Sequence, residues 1–341
     1  MSKTETTRWA SPPPEGAPPT GLVNRVIGWA DDVQRRHGVL GFPLAVIKKY
    51  GDDDGGRGAA LITYYGFLSI FPLLLLGVAI LSWVLTGNPE LRRRLVTAIV
   101  PPVLRSTVEH ALTTLPASTV PFIAGLIGLV FAGTGVVFSA YQTLNDVAAV
   151  PRRLRLAFFP RYLRVFVMLM VLVLGVVAVG ALTVAATALP TLPGVGRAVA
   201  VLGSTLIIFV VLLLGVRLLL ARPAPFRAVW PAAAPGAAAV ALLLALAAPL
   251  LARFVSRSGS VYGSFATVAG LFALFYLVSQ VLVYSAEVAA VRYAGLWPRA
   301  LDQNRPTAAD IRVYTLLARE QERIPAARVD LRLLSGDCPT T

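Results

Sequence analysis

Six long apolar runs, separated by polar connections, dominate the pattern of this chain: 59–85, 121–144, 163–188, 198–220, 232–251 and 264–291. A helix needs about 20 apolar residues to cross the ~30 Å hydrocarbon layer of a bilayer, and every run is long enough. Together the runs hold 148 residues and only three charged side chains, Arg164, Arg217 and Glu287. The pattern predicts an all-α, polytopic membrane protein. It is a bundle of six transmembrane helices over 59–291, with cytoplasmic N- and C-terminal segments. The fifth run is the least regular, an Ala-rich stretch bracketed by Pro231, Pro235 and Pro249; proline near helix ends is tolerated in membranes.

The flanks read differently. Residues 1–20 are polar and proline-rich, which predicts a disordered tail. Within 21–58, Leu22, Val26, Trp29 and Val33 recur at helical spacing with Arg25, Asp32, Arg35 and Arg36 on the other face. That suits an amphipathic helix in the headgroup plane, or a soluble helix packed on the inner face of the bundle. Gly41-Phe42-Pro43 is expected to interrupt it, before a short apolar segment from Leu44 to Tyr50. Residues 292–341 form a cytoplasmic tail in which 308–322 reads as a helix.

Composition agrees with the pattern. The chain is 56% hydrophobic and 14% charged, where a soluble domain carries about 25% charged residues. A soluble, disordered or fibrous protein is excluded. The net charge of +14 first suggests nucleic acid. Its distribution argues otherwise: with both termini inside, the inner connections carry 22 basic residues and the outer ones 7. That bias is what bilayer insertion selects, so the expected partners are the lipid bilayer and its anionic headgroups, with no nucleic acid. Twenty-eight of the 31 basic residues are Arg, the exceptions being Lys3, Lys48 and Lys49. With the abundant Ala, this suggests a GC-rich bacterial genome.

No catalytic constellation emerges. His37 and His110 fall on opposite sides of the predicted membrane, and the single cysteine, Cys338, excludes an internal disulfide. Asp52-Asp53-Asp54 is the only acidic run. Clustered carboxylates suit Mg²⁺, but a solvated turn into the first span is the plainer reading. No enzyme activity, cofactor or metal is expected. The polar residues within or closing the spans say more, because their burial in lipid is costly. Glu287, Arg217, Arg164, Asn145, Tyr64, Tyr65, Gln142 and Gln280 all fall in the inner half. They suit a polar cavity open to the cytoplasm, or else structural locks between helices. Glu287 is expected to pair with Arg217, or with Arg164, at matching depth. Pro72 predicts a kink in span one. The glycines of span two, 125, 128, 133 and 135, predict close helix packing. Tyr262-Gly263-Ser264 reads as a turn and cap opening span six.

The stretch from Ala59 to Leu73, ending Leu68-Ser69-Ile70-Phe71-Pro72-Leu73, resembles the first-span signature of the YihY / virulence factor BrkB family. Further matches are Asn145 with Val150-Pro151, Gly236 in span five, Tyr262-Gly263-Ser264, and Ala286-Glu287. The resemblance covers about 35–295, and it departs at Ala148 and Ala289, where the family usually has Trp and Asn. It implies a six-span protein of the bacterial inner membrane, linked to envelope integrity and, in some members, to lipid or envelope-precursor export. A lipid is then the candidate substrate; a scaffold without substrate is the alternative. The family's older ribonuclease label finds no His/Asp cluster to support it.

Overall fold

The computed structural model describes residues 31, 34, 38–84, 96–97, 100, 104–108, 110, 119–187, 195–222, 224–257, 259–301 and 306–329. The expectations for the 1–20 tail and for Leu22, Val26, Trp29 and Val33 lie outside them. The described residues are helical throughout their ordered elements and include no strand. In chain order the helices are α1 (Gly38–Asp52), α2 (Gly55–Leu68), α3 (Ile70–Val84), α4 (Thr119–Val147), α5 (Phe158–Thr187), α6 (Val195–Leu219), α7 (Phe226–Arg257), α8 (Gly259–Ala294) and α9 (Ala308–Glu320). Among the described residues, six segments are long and apolar enough to cross a membrane: Gly55–Ile80, Thr119–Val147, Phe158–Ala186, Ala198–Leu219, Phe226–Arg253 and Phe265–Ala294. Large apolar side chains such as Phe131, Leu174, Leu202 and Phe265 point outward along them, as a lipid-facing surface requires.

The spans form a ring in which each packs on its neighbours in sequence, and span six closes onto span one. Glycine sets the closest approaches. A Cβ at Gly58 would lie 2.6 Å from Thr143, one at Gly125 would lie 2.9 Å from the backbone nitrogen of Leu76, and one at Gly128 would lie 2.9 Å from Pro72. Gly135 packs on Tyr65 and Gly133 on Leu169, so the glycines of α4 serve spans one and three at once. Gly236 of α7 lies against the Ser285 hydroxyl of α8.

Four backbone expectations change. Span one breaks at Ser69, between α2 and α3, three residues before Pro72. Pro72 has no N–H to give the Leu68 carbonyl and its ring crowds that carbonyl, so the interruption falls one turn upstream. The Ser69 hydroxyl donates to the Gly66 carbonyl at 2.7 Å there. Gly41-Phe42-Pro43 does not interrupt the lead-in; α1 runs through Pro43, with Phe42 edge-on to Trp297 at 5.3 Å. Likewise Pro231, Pro235 and Pro249 lie inside α7. Tyr262-Gly263-Ser264 is no turn: it lies inside α8, which begins at Gly259. At Pro43 and along α7, packing against neighbouring helices outweighs the local preference.

At one end of the bundle α1 and α9 pack against the last turns of α8, around Ala45, Val46, Val291, Leu296 and Val313. Gly295, at φ 59, ends α8 in a left-handed turn. The Leu296 N–H then returns to the Val291 carbonyl at 3.0 Å. Only glycine enters that conformation without strain. The turn swings Trp297–Ala300 back beneath the spans; this is the charged end of the molecule.

Candidate functional site

The last turn of α1 aims Lys49 into the charged end. Its ammonium contacts the Asp53 carboxylate, donates to the Val147 carbonyl that ends α4 (2.8 Å), and lies 3.2 Å from Oε2 of Glu287 on α8. One side chain thus ties the ends of spans one, two and six. Asp53 and Glu287 side chains are 1% and 0% exposed. Neither Glu287 oxygen receives a hydrogen bond from the described residues, and Oδ1 of Asp53 lacks one too. The ammonium is close to Glu287 but is directed at Asp53 and Val147. Two buried carboxylates therefore share a single cation. Burial pushes the Asp53 carboxyl above its ordinary range, with Lys49 acting against that rise. Tyr50 completes the wall: it stacks on Tyr284 at 4.2 Å and donates its hydroxyl to Oε1 of Gln280. Burial raises its phenol above the usual value.

A second network lies next to it. Arg299 is fully buried, donating through Nε to Asp310 (2.8 Å) and through a terminal nitrogen to Asp52 (2.6 Å). Asp310 also accepts from the backbone N–H groups of Ala300 (2.8 Å) and Thr307 (3.0 Å). Burial alone would raise this carboxyl; these donors more than offset it and hold the group well below the usual carboxylate range. The Gln34 amide donates to the Arg299 carbonyl at 2.6 Å, so the N-terminal flank joins the same core. Asp52-Asp53-Asp54 is therefore not a solvated turn. Asp54 faces water 3.5 Å from Arg57, Asp52 is 23% exposed beside Arg299, and the Asp53 side chain is buried.

The sequence-selected polar residues do not line a common cavity. Glu287 pairs with Lys49, not with Arg217 or Arg164. Arg217 is exposed, and Arg164 donates to the Leu220 carbonyl at 3.3 Å. Asn145 is buried and structural in geometry. Its amide donates to the Tyr141 and Leu219 carbonyls (2.7 and 3.0 Å) while its oxygen accepts from Ala221 N–H (2.9 Å), joining the ends of spans two and four. Tyr64 and Gln142 face outward, Tyr65 packs on Gly135, and Gln280 accepts from Tyr50. The space among the helices is apolar instead. A cavity of about 560 Å³ touches all six spans, lined by residues such as Ile62, Val137, Met168, Leu212, Val240 and Val283. Thr143, Ser279 and Ser285 are its only hydroxyl-bearing neighbours among the described residues.

Sequence reasoning passed over Lys49, Arg299 and Asp310 as site residues and read Asp53 as part of a solvated turn. The available signal was the pair of internal lysines, 48 and 49, in a chain whose other basic residues, Lys3 apart, are all Arg.

Comparison with known proteins bears on the same region. A family model described as "Virulence factor BrkB" matches residues 46–309, which runs from the turn before Lys49 through Arg299 to the start of α9. An uncharacterized protein of Dickeya dadantii is 30% identical over 111 residues, 31% of this chain and 33% of that protein. The inner membrane protein YhjD of Escherichia coli is 24% identical over 178 residues, 50% of this chain and 52% of its own length. The chain thus spans about half or less of each of these relatives. No solved structure matches it.

Proposed function

This chain belongs to the virulence factor BrkB family, and we propose that it is a bacterial inner-membrane protein that takes a lipid acyl chain into the space between its spans, in the service of envelope integrity or lipid transport. The observation that carries this reading is the apolar cavity of about 560 Å³. Ligand cavities of this order hold molecules the size of a lipid chain, and an apolar lining selects an apolar one. Inner-membrane placement follows the name of the Escherichia coli relative. Inward termini follow the 22-to-7 distribution of basic residues. Arg161, Arg164, Arg217, Arg222 and Arg227 have no carboxylate partner among the described residues, which suits anionic headgroups at that face. Arg161 lies over the rings of Phe138, Tyr162 and Phe158 at 5.3, 5.5 and 6.0 Å. We assign no enzymatic activity.

Native mass spectrometry of the purified chain tests the reading. The wild type retains one phospholipid through delipidation. Gly215→Leu, which fills the cavity beside Met168, loses it at least about tenfold, the measure of 1.4 kcal/mol in binding. Equal retention by both proteins, or a wild type without lipid that still complements a deletion, returns the scaffold reading.

A further inference from the structure

We propose that Asp53 and Glu287 bind one proton between them beside Lys49, and that this proton holds the cavity shut at the charged end of the molecule. The site is assembled from three spans, and its atoms do not balance when both acids are ionised. Lys49 brings one positive charge, which donates to Asp53 and the Val147 carbonyl and lies 3.2 Å from Glu287. Both carboxylates are out of water, and three of their four oxygens receive no hydrogen bond from the described residues. Two buried carboxylates against one ammonium leave a net negative charge that no described side chain neutralises. One proton restores neutrality and supplies the missing O–H donor.

Among the described residues, the surroundings offer no substitute cation. From α1 the facing groups are Lys49, Tyr50 and Asp52, and Asp52 is held by Arg299. From the end of α4 come the Val147 carbonyl and Asp146, the latter paired with Arg155 at 2.7 Å. From the end of α9 comes Glu320, also on Arg155 at 3.0 Å and close enough to feel Asp53 as a like charge. On α8 itself Tyr284 and Gln280 flank Glu287, and both are engaged with Tyr50. Arg57 stands in solvent with Asp54.

The position links the proton to the cavity. Ala286 and Ala289 line the cavity on one side of α8 while Glu287, between them, faces Lys49 on the other. Cavity residues near this end are buried, Val283 at 2% and Leu219 at 2%, whereas Val176 and Leu244, further along their spans, are 58% and 47% exposed. The cavity is thus closed where Lys49 ties spans one, two and six. Loss of the proton to water at this end leaves two charges that must be hydrated, and hydration requires those span ends to part. The latch rests on the lipid-cavity reading above; the proton does not.

Infrared difference spectroscopy on the full chain in phosphatidylethanolamine/phosphatidylglycerol nanodiscs tests it. A Glu320→Gln background removes a nearby buried acid whose own carboxyl is raised to about 7. In that background a neutral carboxylic C=O band, shifted in D₂O, is present at about pH 6 and lost by about pH 9. Separate ¹³C labelling of Asp and Glu carboxyls assigns the band without further mutation, and both Glu287→Gln and Asp53→Asn abolish it. In a Cys338→Ser background, Ser279→Cys in the cavity wall is labelled by a bulky polar thiol reagent from the charged end. Labelling, scaled to the intrinsic pH dependence of the same cysteine in the unfolded chain, rises at least about fivefold over the same pH span, and Glu287→Gln keeps the scaled value low. Absence of any such band in the wild-type site, or a band surviving both substitutions, overturns the proton. A band with pH-independent labelling overturns the latch. A cavity found empty of lipid leaves the infrared result standing, so failure of the two readings is told apart.

Discussion

Lys49 and Arg217 are both basic residues near the charged end, and their environments separate them. Lys49 is 4% exposed between two buried carboxylates; Arg217 faces outward. Removing one partner of a buried ion pair strands the others, at a cost of about 3–5 kcal/mol. Lys49→Met is therefore expected to lower thermal stability in detergent steeply, while Arg217→Gln stays within about 0.5 kcal/mol of wild type. Equal losses would return Arg217 to the role of partner. Glu320 supplies a pH-dependent contact. Burial, then the charge of Asp146, raises its carboxyl to about 7, against about 4.3 in an unfolded chain. The folded state holds the extra proton, so the stabilising contribution is complete below the unfolded value and is lost as pH climbs through about 7. Asp310 has the opposite sign: its donors stabilise the carboxylate, and their contribution disappears as pH falls. Amide exchange in α9, corrected for its intrinsic pH dependence, should accelerate between about pH 5 and about pH 8 in the wild type and lose that slope in Glu320→Gln.

Among the helices, the glycines of α4 act by closeness. A Cβ at Gly125 meets backbone atoms of Leu76 at 2.9–3.1 Å, which no rotamer change relieves, whereas Gly77 and Gly180 have nothing within 4 Å. Gly125→Ala is expected to destabilise by about 1–3 kcal/mol through forced separation of α3 and α4. Gly77→Ala and Gly180→Ala should be neutral, or stabilising by up to about 1 kcal/mol through helix propensity. Chemical denaturation in mixed micelles ranks the three, and a Gly125 variant as stable as the Gly180 variant would show that α3 does not seat there. The Ser69 break belongs to the same arrangement. It lets α2 pack on spans two and six while α3 follows the far half of α4.

For the molecule as a whole, the charged end gathers α1, the tail of α8 and α9 into one plug. With six spans, both flanks meet there, and the basic-residue bias predicts that this end faces inward. Thiol labelling of intact cells checks this: in a Cys338→Ser background, Ser118→Cys is expected to react with a membrane-impermeant reagent while a cysteine at Thr341 is protected. The reverse labelling would turn the plug and its proton site to the outer face.

The positions of the six spans, the all-helical class and the family were legible along the chain. Each depends on local quantities: apolar length, the spacing of proline and glycine, and the order of short motifs. The close packing of α4 was legible for the same reason, since a small residue acts at its own position. The residues that matter at the charged end were not. Depth in the membrane can be counted along a helix, and by depth Arg217 suited Glu287. Which way a side chain points around the helix axis depends on how neighbouring helices are rotated against one another, and that rotation turned Arg217 outward and brought Lys49 to Glu287 from a separate helix. The cavity follows the same logic. Its polar candidates were judged by depth, and the bundle turned them to its rim or into helix-end contacts, leaving Val, Leu, Ile and Ala to face the centre. Arg299 shows how far the folded chain overrides composition: a tail read as cytoplasmic supplies a fully buried side chain, because Asp52 and Asp310 converge on it from two different helices.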